Sequence, residues 1–178
     1  GIIFAKDICN AYDDKTLEFE IRKAVLTHGV QYCFYDTLKS DIADTGDWAA
    51  FKATSTKLSE LTKQLNIFIY GSIQLTDEVN YIKPDELTSS HISSCKSIKH
   101  ILHTLVLFKE IPKEMYFKYG YYSDNPDWGD GTVHDLDEKK RYYVGNIDKN
   151  RFGSKKHLLF EVNLDTNVWT EVGELVKK

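Results

Sequence analysis

The side chains best suited to metal chemistry are concentrated in one segment of the sequence. Residues 124–137 contain five aspartates and one histidine, and hard cations such as Ca²⁺ prefer oxygen ligands of this kind. An EF-hand loop needs carboxylates at alternate positions, then a conserved glycine and a closing glutamate, and this segment lacks that register. Asp124, Asp127 and His134 are therefore weak candidate metal ligands. A solvated acidic loop is the favoured interpretation, and no cofactor is expected.

Motifs that mark common enzyme classes are missing from the sequence. It has no GxGxxG, GxxxxGK[ST], GxSxG or HExxH pattern, so the phosphate-binding loops, nucleophile elbows and zinc helices that these motifs build are not predicted. His100 and His103 lie close together, but two imidazoles are too few for a zinc site. We therefore favour a binding protein over an enzyme. A small metal-dependent hydrolase or nuclease that uses the Asp- and His-rich loop is the alternative.

The overall composition is that of an ordinary globular domain. Of the 178 residues, 42% are hydrophobic and 28% are charged, which is typical of a single domain. The net charge of -4 argues against direct nucleic-acid binding, because phosphate contacts need clustered Lys and Arg. The three cysteines are scattered without CxxC spacing, which favours a reducing intracellular compartment. No apolar run is long enough to predict a membrane span.

The amino-terminal half predicts two helices followed by a strand. Apolar residues recur at helical spacing from Thr16 onward, which predicts a first helix that continues to about residues 38–41. A second helix is predicted over residues 48–65, with its apolar side chains along one face. Residues 66–75, NIFIYGSIQL, carry β-branched and aromatic side chains on both faces. This pattern predicts a central strand that is covered on both sides.

The carboxy-terminal half predicts one more helix and then a series of strands. The apolar spacing after Ser89 predicts a third helix, which Pro112 ends. Strands are predicted for residues 115–122, 141–147, 156–164 and 168–172, followed by a frayed tail. The expected fold class is therefore α+β, with about three helices packed on a mainly antiparallel β-sheet in a single domain of residues 1–178.

Aromatic residues supply the candidate partner-binding side chains. They make up 13% of the chain, and aromatic residues are enriched among the side chains that carry most of the binding energy at protein interfaces. The candidates are Tyr119, Tyr121, Trp128, Tyr143 and Phe160. For the tyrosines of residues 115–122, half-buried packing within the sheet is the alternative.

One long stretch combines a leucine-spaced helix, a proline stop, an aromatic strand and two later strands. The pieces are IKHILHTLVLF, the Ile111–Pro112 stop, FKYGYYSD, the loop residues Pro126 and Trp128, and the strands YVGNI and HLLFEVNL. This combination resembles the HORMA domain family, especially its meiotic chromosome-axis branch. The segment TDEVNYIKPDEL departs from that branch, because it is shorter and more polar than the second core strand of meiotic members.

The HORMA resemblance implies a peptide-binding domain that is not an enzyme. Members of the family hold a short motif by strand addition, in which main-chain hydrogen bonds give affinity and side-chain pockets give selectivity. The resemblance implies a core of about residues 16–122 and a C-terminal safety belt of about residues 124–178 that wraps the peptide. It also implies a conformational switch between open and closed packings, and a location in the nucleus, on chromosomes.

A third interpretation is an interaction or immunity-type protein of divergent fold that uses residues 115–122 as its interface. In both binding interpretations the expected partner is a protein or a peptide, and self-association stays open. No membrane partner and no direct nucleic-acid partner are expected.

Overall fold

The chain forms two compact units. The computed structural model of the protein describes residues 3, 5, 14–36, 48–92, 98–123 and 131–178. The first unit comprises Gly1–Leu75 and Ile92–Leu102, and the second comprises Thr76–His91 and His103–Lys178. The boundary predicted between core and belt, near residue 123, therefore falls inside the second unit. No helix in the described part of the chain is long and apolar enough to cross a membrane.

The first helix is shorter than its sequence pattern predicts. Helix α1 spans Asp14–His28. It ends at Gly29, whose φ is 65° and whose N–H donates to the Val25 carbonyl at 2.9 Å, because glycine adopts this left-handed conformation without a Cβ clash. Tyr32–Tyr35 then form strand β1. The prediction of a helix that continues to residues 38–41 is therefore wrong beyond His28.

The second helix connects two parallel strands. Helix α2 spans Trp48–Leu65, as predicted, and strand β2 spans Phe68–Gly71. β2 pairs in parallel with β1 in a two-stranded sheet. Phe68 and Tyr70 are each 50% exposed, so the prediction of a central strand covered on both faces is wrong.

Among the described residues of the first unit, the two helices supply most of the buried apolar side chains. One stripe of each helix is buried, as the helical spacing predicts. The buried residues are Leu17 and Ile21 of α1 and Phe51, Leu58 and Leu61 of α2.

The second unit is built around one antiparallel sheet. Its strands are β3 (Thr104–Glu110), β4 (Tyr119–Tyr122), β5 (Val133–Asp135), β6 (Tyr142–Asn150), β7 (His157–Asn163) and β8 (Val168–Lys177). Their order across the sheet is β3-β6-β7-β8-β4-β5, and each neighbouring pair is antiparallel. The predicted α+β class with a mainly antiparallel sheet is confirmed.

Strand β3 lies where the sequence predicts the end of a third helix. The described residues before it form short 3₁₀ turns at Ser89–His91 and Ile98–His100. Within β3, Leu105 and Leu107 are buried while Phe108 is 48% exposed. The continuous apolar run LVLF fits a helix or a strand equally well, and pairing with β6 decides for the strand. The helix prediction is therefore wrong for residues 104–110.

The later strands agree with the sequence except at their ends. The strands predicted for residues 141–147 and 156–164 are confirmed as β6 and β7. β8 continues to Lys177 because its second half pairs with β4, so the prediction of a frayed tail is wrong. The predicted strand 115–122 is confirmed only for β4, since Lys113–Lys118 form a 3₁₀ turn. Strands β6, β7 and β8, assigned to the belt, each pair with a strand on both sides.

One face of the sheet carries the core of the second unit. Its buried cluster consists of Ile111, Tyr116, Tyr119, Leu136, Tyr142, Val144, Leu159 and Leu175. The buried amide of Asn146 in β6 donates to the carbonyls of Pro84 and Leu87, at 2.7 and 3.2 Å. These bonds tie the 3₁₀ turn Pro84–Glu86 to the sheet, so the turn is fixed in place by the strand that lies next to β3.

Candidate functional site

The face of the sheet opposite this core carries an aromatic cluster. The cluster consists of Phe108 of β3, Tyr143 of β6, Phe160 of β7 and Trp169 of β8. Residues directly opposite each other on adjacent strands share a face, and Tyr143 lies opposite Phe160. Their chain neighbours Val144 and Leu159 are fully buried. Because successive side chains point to opposite faces of a strand, the aromatic cluster faces away from the core.

The rings of the aromatic cluster contact one another and remain open to solvent. The Trp169 ring centroid lies 5.0 Å from that of Tyr143 and 5.9 Å from that of Phe108. Phe160 lies 6.2 Å from Trp169 and 5.9 Å from Phe108. Tilted and edge-to-face pairs of this kind stabilise each other by about 0.5–1.5 kcal/mol beyond the burial of their area. Phe108 is 48% and Trp169 41% exposed, which leaves both rings accessible to a partner.

A glycine in β6 makes room for the rings. Gly145 lies opposite Phe108 on β3, and a Cβ at this position would lie 3.0 Å from the Phe160 ring and 3.1 Å from the Phe108 ring. Any larger residue would displace the Phe108 and Phe160 rings from their present positions above β6. The absent side chain therefore allows rings from two strands to converge above the β6 backbone.

Charged groups border the aromatic cluster. The Glu110 carboxylate accepts a hydrogen bond from the Tyr143 hydroxyl at 3.2 Å and lies 3.1 Å from Nε of Arg141. Burial, followed by the neighbouring Glu110, raises the pKa of Tyr143, so its hydroxyl remains a donor at neutral pH. Glu171 lies opposite Phe160 on β8 and is exposed, which adds a second carboxylate to this face.

Strand β3 adds an open backbone edge to the aromatic cluster. It is the first strand in the sheet order, and no strand within the described ranges pairs with its outer side. The Ile111 N–H donates to the Tyr142 carbonyl at 2.9 Å, which marks a hydrogen-bonded pair. Such pairs alternate with non-hydrogen-bonded pairs in an antiparallel ladder, so the main chain of Phe108 and Glu110 points away from β6. Phe108 and Glu110 therefore have their side chains on the face of the aromatic cluster and their main-chain groups open at the edge of the sheet.

The structure brings together two of the five predicted partner-binding residues. Tyr143 and Phe160 lie side by side in the aromatic cluster. Phe108 and Trp169 complete it, and sequence reasoning missed both. The alternation of the strand that begins at Val168 could have placed Trp169 on an exposed face, whereas Phe108 was assigned to a helix.

The other predicted partner-binding residues do not belong to the aromatic cluster. Tyr119 is only 1% exposed and donates its hydroxyl to Asp85, so it is a core residue and cannot contact a partner. Tyr121 packs against the same core and lies 5.3 Å from the His134 ring, centroid to centroid. Trp128 lies outside the described residues.

The predicted metal ligands are not brought together by the structure. Asp124 and Asp127 lie outside the described residues, and His134 is in β5. Across residues 14–36, 48–92, 98–123 and 131–178, no group of three or more His, Cys, Asp or Glu side chains is placed to hold a metal ion.

A second aromatic surface lies on the first unit. Tyr32 and Phe34 of β1 lie opposite Phe68 and Tyr70 of β2, so all four share one face of the two-stranded sheet. The Phe34 and Tyr70 rings stack with centroids 5.0 Å apart, and those of Phe68 and Tyr70 are 4.4 Å apart. We call these four residues the parallel-sheet aromatic face.

Comparison with known proteins gives no family and no relative: no family model matches the chain, and no curated protein matches it.

Proposed function

We propose that this protein is a protein–protein interaction domain that binds an extended peptide along strand β3. The observation that carries the proposal is that the exposed aromatic cluster begins at Phe108, whose main-chain groups are open at the strand edge. The peptide adds a strand to the sheet, so its main chain bonds to Phe108 and Glu110. Every second side chain of the peptide then lies on the same face of the sheet as the aromatic cluster, next to Phe108 at its edge.

The chemistry of the aromatic cluster favours a peptide over a nucleic acid. The interplanar angles among its rings run from 53° to 84°, so they offer a shaped pocket rather than parallel platforms for stacked bases. The carboxylates of Glu110 and Glu171 would also repel a phosphate backbone. Exposed, clustered aromatic rings on a well-supported sheet are instead typical centres of protein interfaces.

The safety-belt form of this function remains a prediction of the HORMA resemblance. Strand addition at β3 does not require the belt to open, because the outer side of β3 is not paired with any described strand. If residues 124–178 wrapped around the peptide, β7 and β8 would have to break their pairing with the strands on both sides of each. The three scattered cysteines favour an intracellular location for this interaction, whereas a chromosomal location rests on the resemblance alone.

Selection from a random peptide library, followed by affinity measurement on purified protein, tests the proposal. Phe108→Ala should weaken binding of the selected peptide at least about tenfold, because Phe108 is the aromatic ring on the edge strand and lies next to the added peptide. Phe117→Ala is the matched control, since Phe117 is 72% exposed on a 3₁₀ turn away from the cluster. Equal affinities of the two variants, or a library that yields no binder, would overturn the proposal.

Backbone methylation of the selected peptide tests strand addition separately. An added strand directs alternate N–H groups toward β3, so N-methyl groups at alternate positions should abolish binding in one register and leave it nearly unchanged in the other. Equal effects in both registers would show that the peptide is not bound as a strand.

A further inference from the structure

We infer that the aromatic cluster selects an arginine side chain of the bound peptide, placed opposite Phe108. This inference rests on the proposed function and specifies the chemistry of its partner. It follows from the charges that border the cluster, from the orientation of its rings, and from the hydrogen-bonding capacity that remains at Glu110.

The charge on this face of the sheet favours a cation. The carboxylates of Glu110 and Glu171 are opposed by one guanidinium, that of Arg141, which pairs with Glu110. At the far end of the same sheet, Lys156 and Glu174 lie 3.4 Å apart and add no net charge. The surroundings of the aromatic cluster are therefore negative, and a cationic side chain would reduce that charge on binding.

The geometry of an added strand puts one peptide side chain directly beside that of Phe108. Strands in a sheet are about 4.8 Å apart, so the peptide residue opposite Phe108 is its nearest neighbour on this face. The diagonal neighbour of that residue is Glu110, two positions further along β3, and long side chains reach diagonal neighbours. An arginine at this position can lay its guanidinium on the Phe108 ring and direct its N–H groups at Glu110.

The rings and the carboxylate offer complementary contacts to a guanidinium. Aromatic faces attract cations, and Arg is the cation most often found on them. One oxygen of Glu110 accepts a hydrogen bond from Tyr143 and the other lies 3.1 Å from Nε of Arg141 in an ion pair, whereas a carboxylate can accept about four hydrogen bonds. The side chain of Glu110 is 45% exposed, so its remaining lone pairs are open to solvent. An apolar or acidic peptide side chain would leave this capacity unused, and a neutral amide would use it without the ionic attraction.

A matched set of synthetic peptides tests the inference directly. The probe is an acetylated, amidated heptapeptide in which threonine and valine alternate around one variable central residue. Central arginine is compared with citrulline, which has nearly the same shape without the charge, and with glutamate. Arginine should bind about tenfold more tightly than citrulline, and glutamate should bind most weakly.

Variants of the protein assign the preference to Glu110. Glu110→Gln should reduce the arginine-to-citrulline ratio to about twofold, because the remaining attraction is that of the rings alone. Arg141→Gln should increase the ratio, since it removes the competing internal guanidinium. Glu114→Gln is the control, because that exposed carboxylate lies on the 3₁₀ turn Lys113–Lys118 and should leave the ratio unchanged.

The outcomes separate this inference from the proposed function. If arginine and citrulline bind equally while Phe108→Ala weakens both, the aromatic cluster binds peptides without regard to charge and the arginine inference fails alone. If Phe108→Ala does not change the affinity of any probe, the proposed function fails as well.

Discussion

The two exposed aromatic surfaces of this protein differ in what supports them. The aromatic cluster spans four adjacent strands of a six-stranded sheet, whose other face carries the buried core of the second unit. The parallel-sheet aromatic face lies on two strands of four residues each, and a sheet of only two strands is marginally stable by itself. Both surfaces are aromatic and exposed, so these properties alone do not distinguish a binding site.

The aromatic cluster also has features that the parallel-sheet aromatic face lacks. A glycine accommodates its rings, and a hydrogen bond from Tyr143 to Glu110 joins the rings to a charged border. Such support fixes the positions of contacting side chains before a partner arrives, which lowers the entropic cost of binding. We therefore propose the aromatic cluster, and not the parallel-sheet aromatic face, as the binding surface. Four predictions test how firmly the second unit holds the aromatic cluster in place.

The largest effect is expected from a glycine in the sheet. Gly173 of β8 has a φ of 147°, and a Cβ there would lie 1.8 Å from the Tyr122 carbonyl oxygen. Gly173→Ala should therefore lower the free energy of unfolding of the second unit by more than about 4 kcal/mol, measured by urea denaturation. Gly29→Ala in the first unit should cost only about 1 kcal/mol, because nothing lies within 4 Å of its Cβ position. Similar losses from the two substitutions would show that β8 is not tightly held.

The next effect concerns the core beneath the aromatic cluster. Leu159 is fully buried, so Leu159→Ala should lower the free energy of unfolding by about 2–5 kcal/mol through lost burial and a cavity. Phe34→Ala on the parallel-sheet aromatic face should change it by less than about 0.5 kcal/mol, as surface substitutions usually do, because Phe34 is 75% exposed. A large loss from Phe34→Ala would indicate that this surface is supported as firmly as the cluster.

A smaller loss is expected at high pH. Burial raises the pKa of Tyr116 and Tyr142 above the usual value of 10.0, and burial and the hydrogen bond to Asp85 raise that of Tyr119. A folded-state pKa above the unfolded value stabilises the fold fully below pH 10 and less as the pH rises toward the folded pKa. Urea denaturation at pH 8 and pH 11 should therefore show lower stability of the second unit at pH 11. Tyr119→Phe should reduce that difference, and an unchanged difference would contradict the assignment.

The smallest effect on stability should come from Gly145→Ala. The new Cβ would crowd the Phe108 and Phe160 rings at 3.1 and 3.0 Å, but Phe108 is 48% exposed and can move. We expect a loss of about 1 kcal/mol, at the low end for overpacking, together with a clear change in the ring-current shifts of Trp169 by NMR. Unchanged shifts would mean that the rings do not converge above β6.

The sequence predicted the structure best where the apolar pattern fits only one type of secondary structure. Helix α2 follows from a single apolar stripe, and β6 and β7 follow from runs of β-branched and aromatic residues between turn signals. The sequence misled at β3, because its apolar run fits a helix and a strand equally well. It also misled at β1, where the helical pattern continued past Gly29 although the backbone turned there.

The residue types needed for a binding site could be read from the sequence, but their grouping could not. Tyr143 and Phe160 were candidates from their aromatic character. Their meeting with Phe108 and Trp169 depends on the strand order and on the register of three antiparallel pairings. A shift of one residue in any pairing would turn a ring toward the core, and local propensity contains no information about that register.

By itself the sequence determined the α+β class, helix α2, the C-terminal strands and the aromatic and charged composition, because local periodicity and side-chain chemistry specify these features. Only the tertiary structure decided that no described strand pairs with the outer side of β3, that β6, β7 and β8 lie inside the sheet, and that Tyr119 is buried while Trp169 is exposed. These features depend on pairings between residues far apart in the chain, and the free energy of those pairings comes from burial and hydrogen bonding across the whole sheet.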